Sequence, residues 1–312
     1  MNTLTKVFVG VDVSLDTLDV YIHPIVKSMK VSNSKEGLQI LESVLKNYDV
    51  QQTVCESTGG YEDLAYDYLL EIKCKPWRVD PKRILAFTAS EGIKYKTDKI
   101  DAKMIALFAS QKSRGYEATV NKNPLLAALA KRKSDLVEIA SGEKKRLRHP
   151  SSLCKSLIQE HVDFIEKQIG IIEKEIEKII NNDDDLNAKN KILQSVPGVG
   201  KTTAAILLAT LPELGALNEK EISALVGVAP YVKQSGKFVG NSKISSGRFI
   251  TRRGIYMAAL TGSRKNPILS KFYNKLLQAG KKPKVALVAV MHKLIIILNA
   301  MLRKREAWSS NI

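Results

Sequence analysis

The chain has 312 residues, 44% of them hydrophobic and 26% charged, which is enough for about two domains with buried cores and too apolar for disorder. Its 49 Lys and Arg against 32 Asp and Glu leave a formal net charge of +17, so the natural partner is a polyanion, nucleic acid ahead of a membrane surface. Three widely separated cysteines (Cys55, Cys74, Cys154) exclude a disulfide framework and fit a reducing cytoplasm, and the four histidines lack the cysteine spacing of a zinc site.

The start, Met1 to Lys6, runs straight into a strand pattern and shows no signal peptide. From Lys6 to about Gly115 strand and helix patterns alternate. Val7–Val11 and Leu18–Ile22 read as strands around a turn at Ser14-Leu15-Asp16, and Ser34–Leu45 has helical spacing. Thr53-Val54-Cys55-Glu56 ends another strand, Gly59-Gly60 opens a helix over 61–70, Trp77–Val79 is a short strand, and 99–109 a further helix. Asp80-Pro81 reads as a turn. Two adjacent strands followed by alternating elements resemble a ribonuclease H-like α/β fold.

Four carboxylates stand out in this basic chain. Asp12 interrupts the first apolar strand and Glu56 closes a later one, while Asp98 and Asp101 are three apart and share one face if their segment is helical. Carboxylate oxygens suit a hard cation such as Mg²⁺, and an acidic pocket in a basic protein predicts metal-assisted chemistry on a phosphodiester. The nearby Asp16 and Asp19 read as turn and surface acids.

From about 116 to 190 the chain becomes long-helical and charged. Ile158, Val162, Ile165, Ile169, Ile172, Ile176 and Ile179 follow a 4-3-4-3-4-3 spacing with Glu and Lys between them. The seam predicts a coiled coil that joins protomers, although an intramolecular helix hairpin gives the same pattern. His149-Pro150 marks a break between helices.

A second compact region runs from 191 to 312. Its Pro197-Gly198-Val199-Gly200-Lys201-Thr202 resembles a nucleotide-binding loop, but Ser195 stands where that motif needs glycine. A helix-hairpin-helix turn fits better, with the backbone N–H groups of Gly198 and Gly200 and the side chain of Lys201 aimed at a DNA phosphate; a plain helix–turn–helix linker is the bland alternative. The stretch from Tyr231 to Gly254 is rich in Gly, Ser and basic residues with almost no acid, suited to lie along a phosphate backbone. Helices follow at 255–263, 267–277 and 285–302. The apolar run Val285–Leu298 is interrupted by His292-Lys293 and falls short of the roughly 20 residues a membrane span needs.

These residues together resemble the DEDD transposases of the insertion sequence 110 family and the related Piv-like DNA invertases, over nearly the whole length. In the N-terminal half the likeness rests on Gly10-Val11-Asp12-Val13-Ser14, Glu56-Ser57-Thr58-Gly59-Gly60-Tyr61 and Lys96-Thr97-Asp98-Lys99-Ile100-Asp101-Ala102. In the C-terminal half it rests on Val196–Gly200, Val228-Ala229-Pro230, Ser235-Gly236-Lys237, Gly247-Arg248, Tyr256–Ala259, Asn266-Pro267 and Leu298–Leu302. The resemblance implies a RuvC-like metal domain over 1–115, a helical linker and coiled coil over 116–190, and a mainly helical transposase domain over 191–312.

It further implies a metal-holding tetrad of Asp12, Glu56, Asp98 and Asp101 with Mg²⁺ or Mn²⁺, and Ser235 as nucleophile, with Ser245 and Ser246 as rivals. Lys237, Lys243, Arg248, Arg252 and Arg253 then read as phosphate contacts. Its implied partners are donor and target DNA, a structured guide RNA transcribed from the element, and further copies of the chain in a dimer or tetramer. A metal-dependent nuclease of RuvC type, or an inactive nucleic-acid-binding relative, are the alternatives.

Overall fold

The computed structural model describes residues 4–92, 98–112, 123–149, 153–231, 234–235, 238–239, 243–244 and 247–309, and for 98–100, 234–235 and 238–239 the backbone alone. Two compact units divide the chain, Met1–Val120 and Asn121–Ile312.

The first unit runs β1 (Lys6–Val13), β2 (Thr17–His23), β3 (Lys27–Ser32), α1 (Lys35–Leu45), β4 (Asp49–Glu56), α2 (Asp63–Glu71), β5 (Pro76–Val79), α3 (Pro81–Ser90) and α4 (Asp98–Gln111). The sheet order is β3-β2-β1-β4-β5. The first three strands pair antiparallel as a meander, and β4 and β5 add in parallel. A five-stranded mixed sheet with helices on both faces is consistent with a ribonuclease H-like fold.

Period-two alternation divides β1 between two cores. Val7, Val9, Val11 and Val13 pack with Leu38, Leu41 and Leu45 of α1 and Ala65 and Leu69 of α2. On the other face Val54, Trp77 and Val79 meet Ile84 and Phe87 of α3 and Met104, Ile105 and Phe108 of α4. Two elements are absent from the sequence expectation. β3 is an edge strand with only Val31 buried, so its alternation carries little signal. Asp80-Pro81, expected as a turn, starts α3: the Asp80 carboxylate accepts from the Lys82 N–H at 2.9 Å and Pro81 occupies the first turn, where a missing N–H costs nothing.

The second unit continues with α5 (Pro124–Leu147), α6 (Lys155–Asn181), α7 (Asp184–Gln194), α8 (Lys201–Thr210), α9 (Glu219–Val226), β6 (Gln234–Ser235), β7 (Phe238–Val239), α10 (Phe249–Lys265), α11 (Pro267–Gln278) and α12 (Pro283–Lys304). The isoleucine seam lies on α6, and α5 of the same chain covers it. Ile165 packs with Leu136 and Ala140, and Ile176 and Ile180 pack with Leu126, Ala130 and Ala209 of α8. The ion pairs Lys144–Glu166 and Lys133–Glu173 fix the two helices as antiparallel. The seam expected to join protomers is therefore used within the chain, as the hairpin alternative foresaw, and both helices belong to the same compact unit as the C-terminal region.

α12 is 22 residues long and, by length and composition, apolar enough to cross a membrane, longer than the stretch read from the sequence. Its Leu287, Val290, Met291, Leu294, Ile295 and Leu298 are buried within the unit. Its buried Asn299 accepts from the Gly215 N–H at 2.7 Å and donates to the Leu217 carbonyl at 2.8 Å, so α12 acts as a core helix pinned to the loop before α9.

Candidate active site

Asp12 and Glu56 sit side by side at the carboxyl ends of β1 and β4. These strands are parallel, and their register pairs Gly10 with Val54 and Val11 with Cys55, which makes Asp12 and Glu56 the next pair. Val54 belongs to the core on the α4 side. Two residues further along a strand lies the same face, so Gly10, Asp12 and Glu56 all present to that side. The carboxyl edge of a parallel pair is where open α/β sheets bind their ligands.

Gly10 lets α4 approach. A Cβ there would stand 2.2 Å from the Ala102 carbonyl oxygen and 2.3 Å from the Ala106 nitrogen, so helix backbone rests directly on strand backbone. At the opposite end, the Gln52 side-chain amide donates to the carbonyls of Ala109 at 3.4 Å and Lys112 at 3.0 Å. Gln52 pairs with Phe8, so α4 runs antiparallel to β1 and its acidic N-terminus reaches the Asp12 edge. Asp101 precedes Ala102, the residue in contact with Gly10, and Asp98 starts the helix one turn earlier. Asp12, Glu56 and Asp101 are all half-buried and each has an interaction partner.

Oxygen donors without His or Cys match a hard divalent cation and not zinc. Among the described residues no three acidic, His or Cys side chains are close enough to form a ready metal cluster, and the Asp98 side chain lies outside that set. The residues fit a cation by donor chemistry and by sharing one edge of the sheet.

The turn after Glu56 is organised by Glu62, which sequence reasoning missed. Its side chain is about 3% exposed. It accepts from the Gly60 N–H at 2.8 Å, the Thr58 N–H at 3.1 Å, the Thr58 hydroxyl at 2.9 Å and the Ser57 hydroxyl at 3.2 Å. Arg78 approaches it at 3.4 Å, also pairs with Asp63 at 3.0 Å, and stacks over the Tyr66 ring. Burial pushes the Glu62 carboxyl up, yet the N–H donors, Arg78 and the Thr58 hydroxyl together outweigh it and hold its pKa below the usual range. Asn33 donates to the carbonyls of Ser14 at 3.0 Å and Tyr61 at 2.9 Å, stitching the turn after Asp12 to the turn after Glu56. The available signal was an acid shortly after a Ser-Thr-Gly-Gly run, where N–H groups in a tight turn need an acceptor.

In the second unit Ser235 lies on β6 and pairs through its backbone with Phe238 of β7. Below this hairpin the Tyr231 and Lys243 backbones exchange hydrogen bonds of 2.8 and 3.0 Å. Lys237, Ser245 and Ser246 lie outside the described residues. Lys243 is exposed, and Arg252 and Arg253 are half-buried on α10.

The structure gives two expected phosphate contacts other work. Arg248 makes a bidentate pair with Glu213, at 2.6 and 2.7 Å, and donates to the Thr210 carbonyl at 2.8 Å. Gly198 adopts φ +108°, and a Cβ there would meet the backbone of Gly262 at 2.7 Å, so this glycine seats the α7–α8 turn on α10. Gly200 has open space around it at the start of α8, and Lys201 pairs with Glu177 of α6 at 3.2 Å while staying exposed.

Comparison with known proteins agrees with this architecture. A family model described as "Transposase", for the DEDD type of IS110, matches residues 9–150, and the "Transposase IS116/IS110/IS902 family" model matches residues 190–274. The pilin gene-inverting proteins of Moraxella bovis and Moraxella lacunata are each 26% identical over 320 residues, covering 99% of both chains. An insertion element IS110 protein of 43.6 kDa from Streptomyces coelicolor is 28% identical over 39% of this chain and 30% of its own length. With two models of the same family over residues 9–150 and 190–274 and relatives matching from end to end, the chain belongs to the IS110 family of transposases, enzymes that act on DNA.

Proposed function

We propose that this chain breaks and rejoins DNA strands as the recombinase of a mobile or invertible element, with Ser235 as nucleophile and Asp12, Glu56, Asp98 and Asp101 as the metal-holding set. The observation that carries this reading is the pairing of Asp12 and Glu56 at neighbouring strand ends, with the acidic start of α4 docked beside them at Gly10. The pilin gene-inverting relatives support strand exchange over simple cutting.

In the proposed reaction the Ser235 hydroxyl loses its proton as its oxygen attacks a backbone phosphorus. The new bond joins serine to phosphate, the bond from phosphorus to the 3′ oxygen breaks, and that oxygen leaves as a 3′ hydroxyl. The phosphoserine keeps one phosphodiester for each one broken, so a 3′ hydroxyl of another strand can displace the serine without an external energy source. When bound, Mg²⁺, or Mn²⁺ in its place, supplies positive charge against the negative charge developing on the phosphate. The four carboxylates hold that cation and, through it, offset their own mutual repulsion.

Phosphate contacts come from the exposed N-terminus of α8 at Gly200 and Lys201, and from Lys237, Lys243, Arg252 and Arg253. Donor and target DNA are the substrates, and a structured RNA from the element selects them; a net charge of +17 suits both polymers. The protein works in the cytoplasm as a dimer or tetramer. Since α5 covers the isoleucine seam, association falls to the outer face of α6, where Leu157, Phe164 and Ile171 are exposed at seven-residue intervals.

A second reading, a RuvC-type endonuclease in which water attacks, is favoured by the acidic edge standing on a compact unit of its own. Supercoiled donor DNA incubated with Mg²⁺ and the element's RNA separates the two. The recombinase reading requires Ser235→Ala to abolish nicking while Asp12→Asn does the same; nicking at the normal rate by Ser235→Ala identifies the nuclease.

A further inference from the structure

The segment carrying Ser235 leaves the helical body after α9 and returns at α10, and its return is fastened by an unusual set of contacts. Gly227 ends α9 in the left-handed region at φ +77°, and Gly247 answers it at φ +79°. A Cβ on Gly247 would stand 2.4 Å from the Gly227 nitrogen, so the two backbones touch where the segment begins and ends. The Arg248 N–H then donates to the Leu225 carbonyl at 3.0 Å. From this point the Arg248 side chain turns inward to Glu213, whose carboxylate is about 2% exposed, and to the Thr210 carbonyl at the end of α8. Thr251, one turn into α10, adds a 2.8 Å hydroxyl contact to Thr210.

Both oxygens of Glu213 are engaged by the two terminal nitrogens of Arg248. A buried carboxylate held by a two-pronged guanidinium fixes orientation as well as distance, because both bonds must be satisfied in one plane. Between Tyr231 and Gly254 the chain has six basic residues and no acid, so nothing in the segment itself could hold Arg248 inward. Glu213 supplies that hold from the loop after α8.

We infer that Arg248 and Glu213 are a positioning pair for the serine-bearing segment. The inference rests on Ser235 being the nucleophile. With Glu213, Arg248 sets where the segment closes on α9 and α10, and so where Ser235 is presented. A nucleophile displaced by about 1 Å loses on the order of 10²-fold in rate while substrate binding is unchanged.

Three variants of the full chain, Glu213→Gln, Arg248→Lys and Ser235→Ala, decide the matter, each measured for DNA affinity and for single-turnover nicking at saturating DNA with Mg²⁺ and the element's RNA. Glu213→Gln keeps the shape of the site and removes the charge that orients the guanidinium. The expected result is a nicking rate about 10²-fold lower with DNA affinity unchanged, and partial recovery in Arg248→Lys, which keeps the ion pair but loses the fork. An unaltered rate in Glu213→Gln, or tighter DNA binding from a released guanidinium, overturns the inference and restores Arg248 as a phosphate contact. If Glu213→Gln melts at lower temperature, Gly247→Ala provides the independent variant: it strains the same closure without touching the ion pair and must lose rate by the same pattern. Should Ser235→Ala nick normally, the nucleophile assignment fails whatever Glu213→Gln does.

Discussion

Replacing Gly10 by alanine tests how the acidic edge is assembled. The added Cβ would lie 2.2 Å from the Ala102 carbonyl oxygen and 2.3 Å from the Ala106 nitrogen. Both neighbours are helix backbone, so no side chain can rotate away. Restoring a contact of about 3.5 Å requires α4 to retreat from β1 by about 1.3 Å. Overpacking of this kind costs about 1–3 kcal/mol of stability. The same retreat carries Asp98 and Asp101 away from Asp12 and Glu56, and a shift near 1 Å in a reacting constellation costs on the order of 10²-fold in rate. The control is Gly142→Ala on α5, where nothing lies within 4 Å, and where alanine adds about 0.5–1 kcal/mol of helix stability. Thermal melts and nicking rates of the two variants, measured across a Mg²⁺ titration, should diverge: Gly10→Ala slow at every concentration, Gly142→Ala normal. A Gly10→Ala protein with the normal rate and melting temperature would refute the docking of α4 as the device that gathers the carboxylates.

Glu62 makes acid stability specific. Its folded pKa is depressed, so its contribution is present above the ordinary value of 4.5 and is lost as pH falls through the lower folded value. Melts of the full chain and of Glu62→Gln should differ by about 1–3 kcal/mol at neutral pH, and the two curves should converge below pH about 4.5; a constant gap would show the charge to be irrelevant. On α6, Phe164→Glu places a charge on the exposed face and away from the α5 contact, so sedimentation should show smaller assemblies with helical content unchanged. Unchanged assembly would remove that face as the interface.

Much of the first unit is legible in the sequence because its strands are apolar where they are buried. Asp12 and Glu56 are conspicuous there for the same reason, each a carboxylate ending an apolar run at the carboxyl edge of a parallel strand pair. β3 escaped because an edge strand with one buried side chain has no period to read, and α3 because Asp80-Pro81 serves equally as a turn or a helix start. The heptad seam on α6 revealed that a helix partner was needed without naming it, since α5 and a second protomer satisfy the same spacing. Arg248 shows the deeper limit. In the chain it is one of several cations in a basic segment, and only folding brings Glu213, 35 residues earlier, against it. Pairing across such separations leaves no local pattern, and Glu62 was overlooked for a related reason: two of its donors are backbone N–H groups, which every residue but proline carries, and Arg78 lies 16 residues further along the chain.

The central claim is that Ser235 becomes covalently joined to DNA with the acidic edge as its metal-holding partner. The most direct measurement traps the protein with donor DNA and Mg²⁺, digests both polymers, and locates the nucleotide-bearing peptide by mass spectrometry. The account predicts a phosphodiester on Ser235 that disappears in Asp12→Asn. An adduct on Ser245 or Ser246, or strand cleavage with no adduct at all, would contradict it.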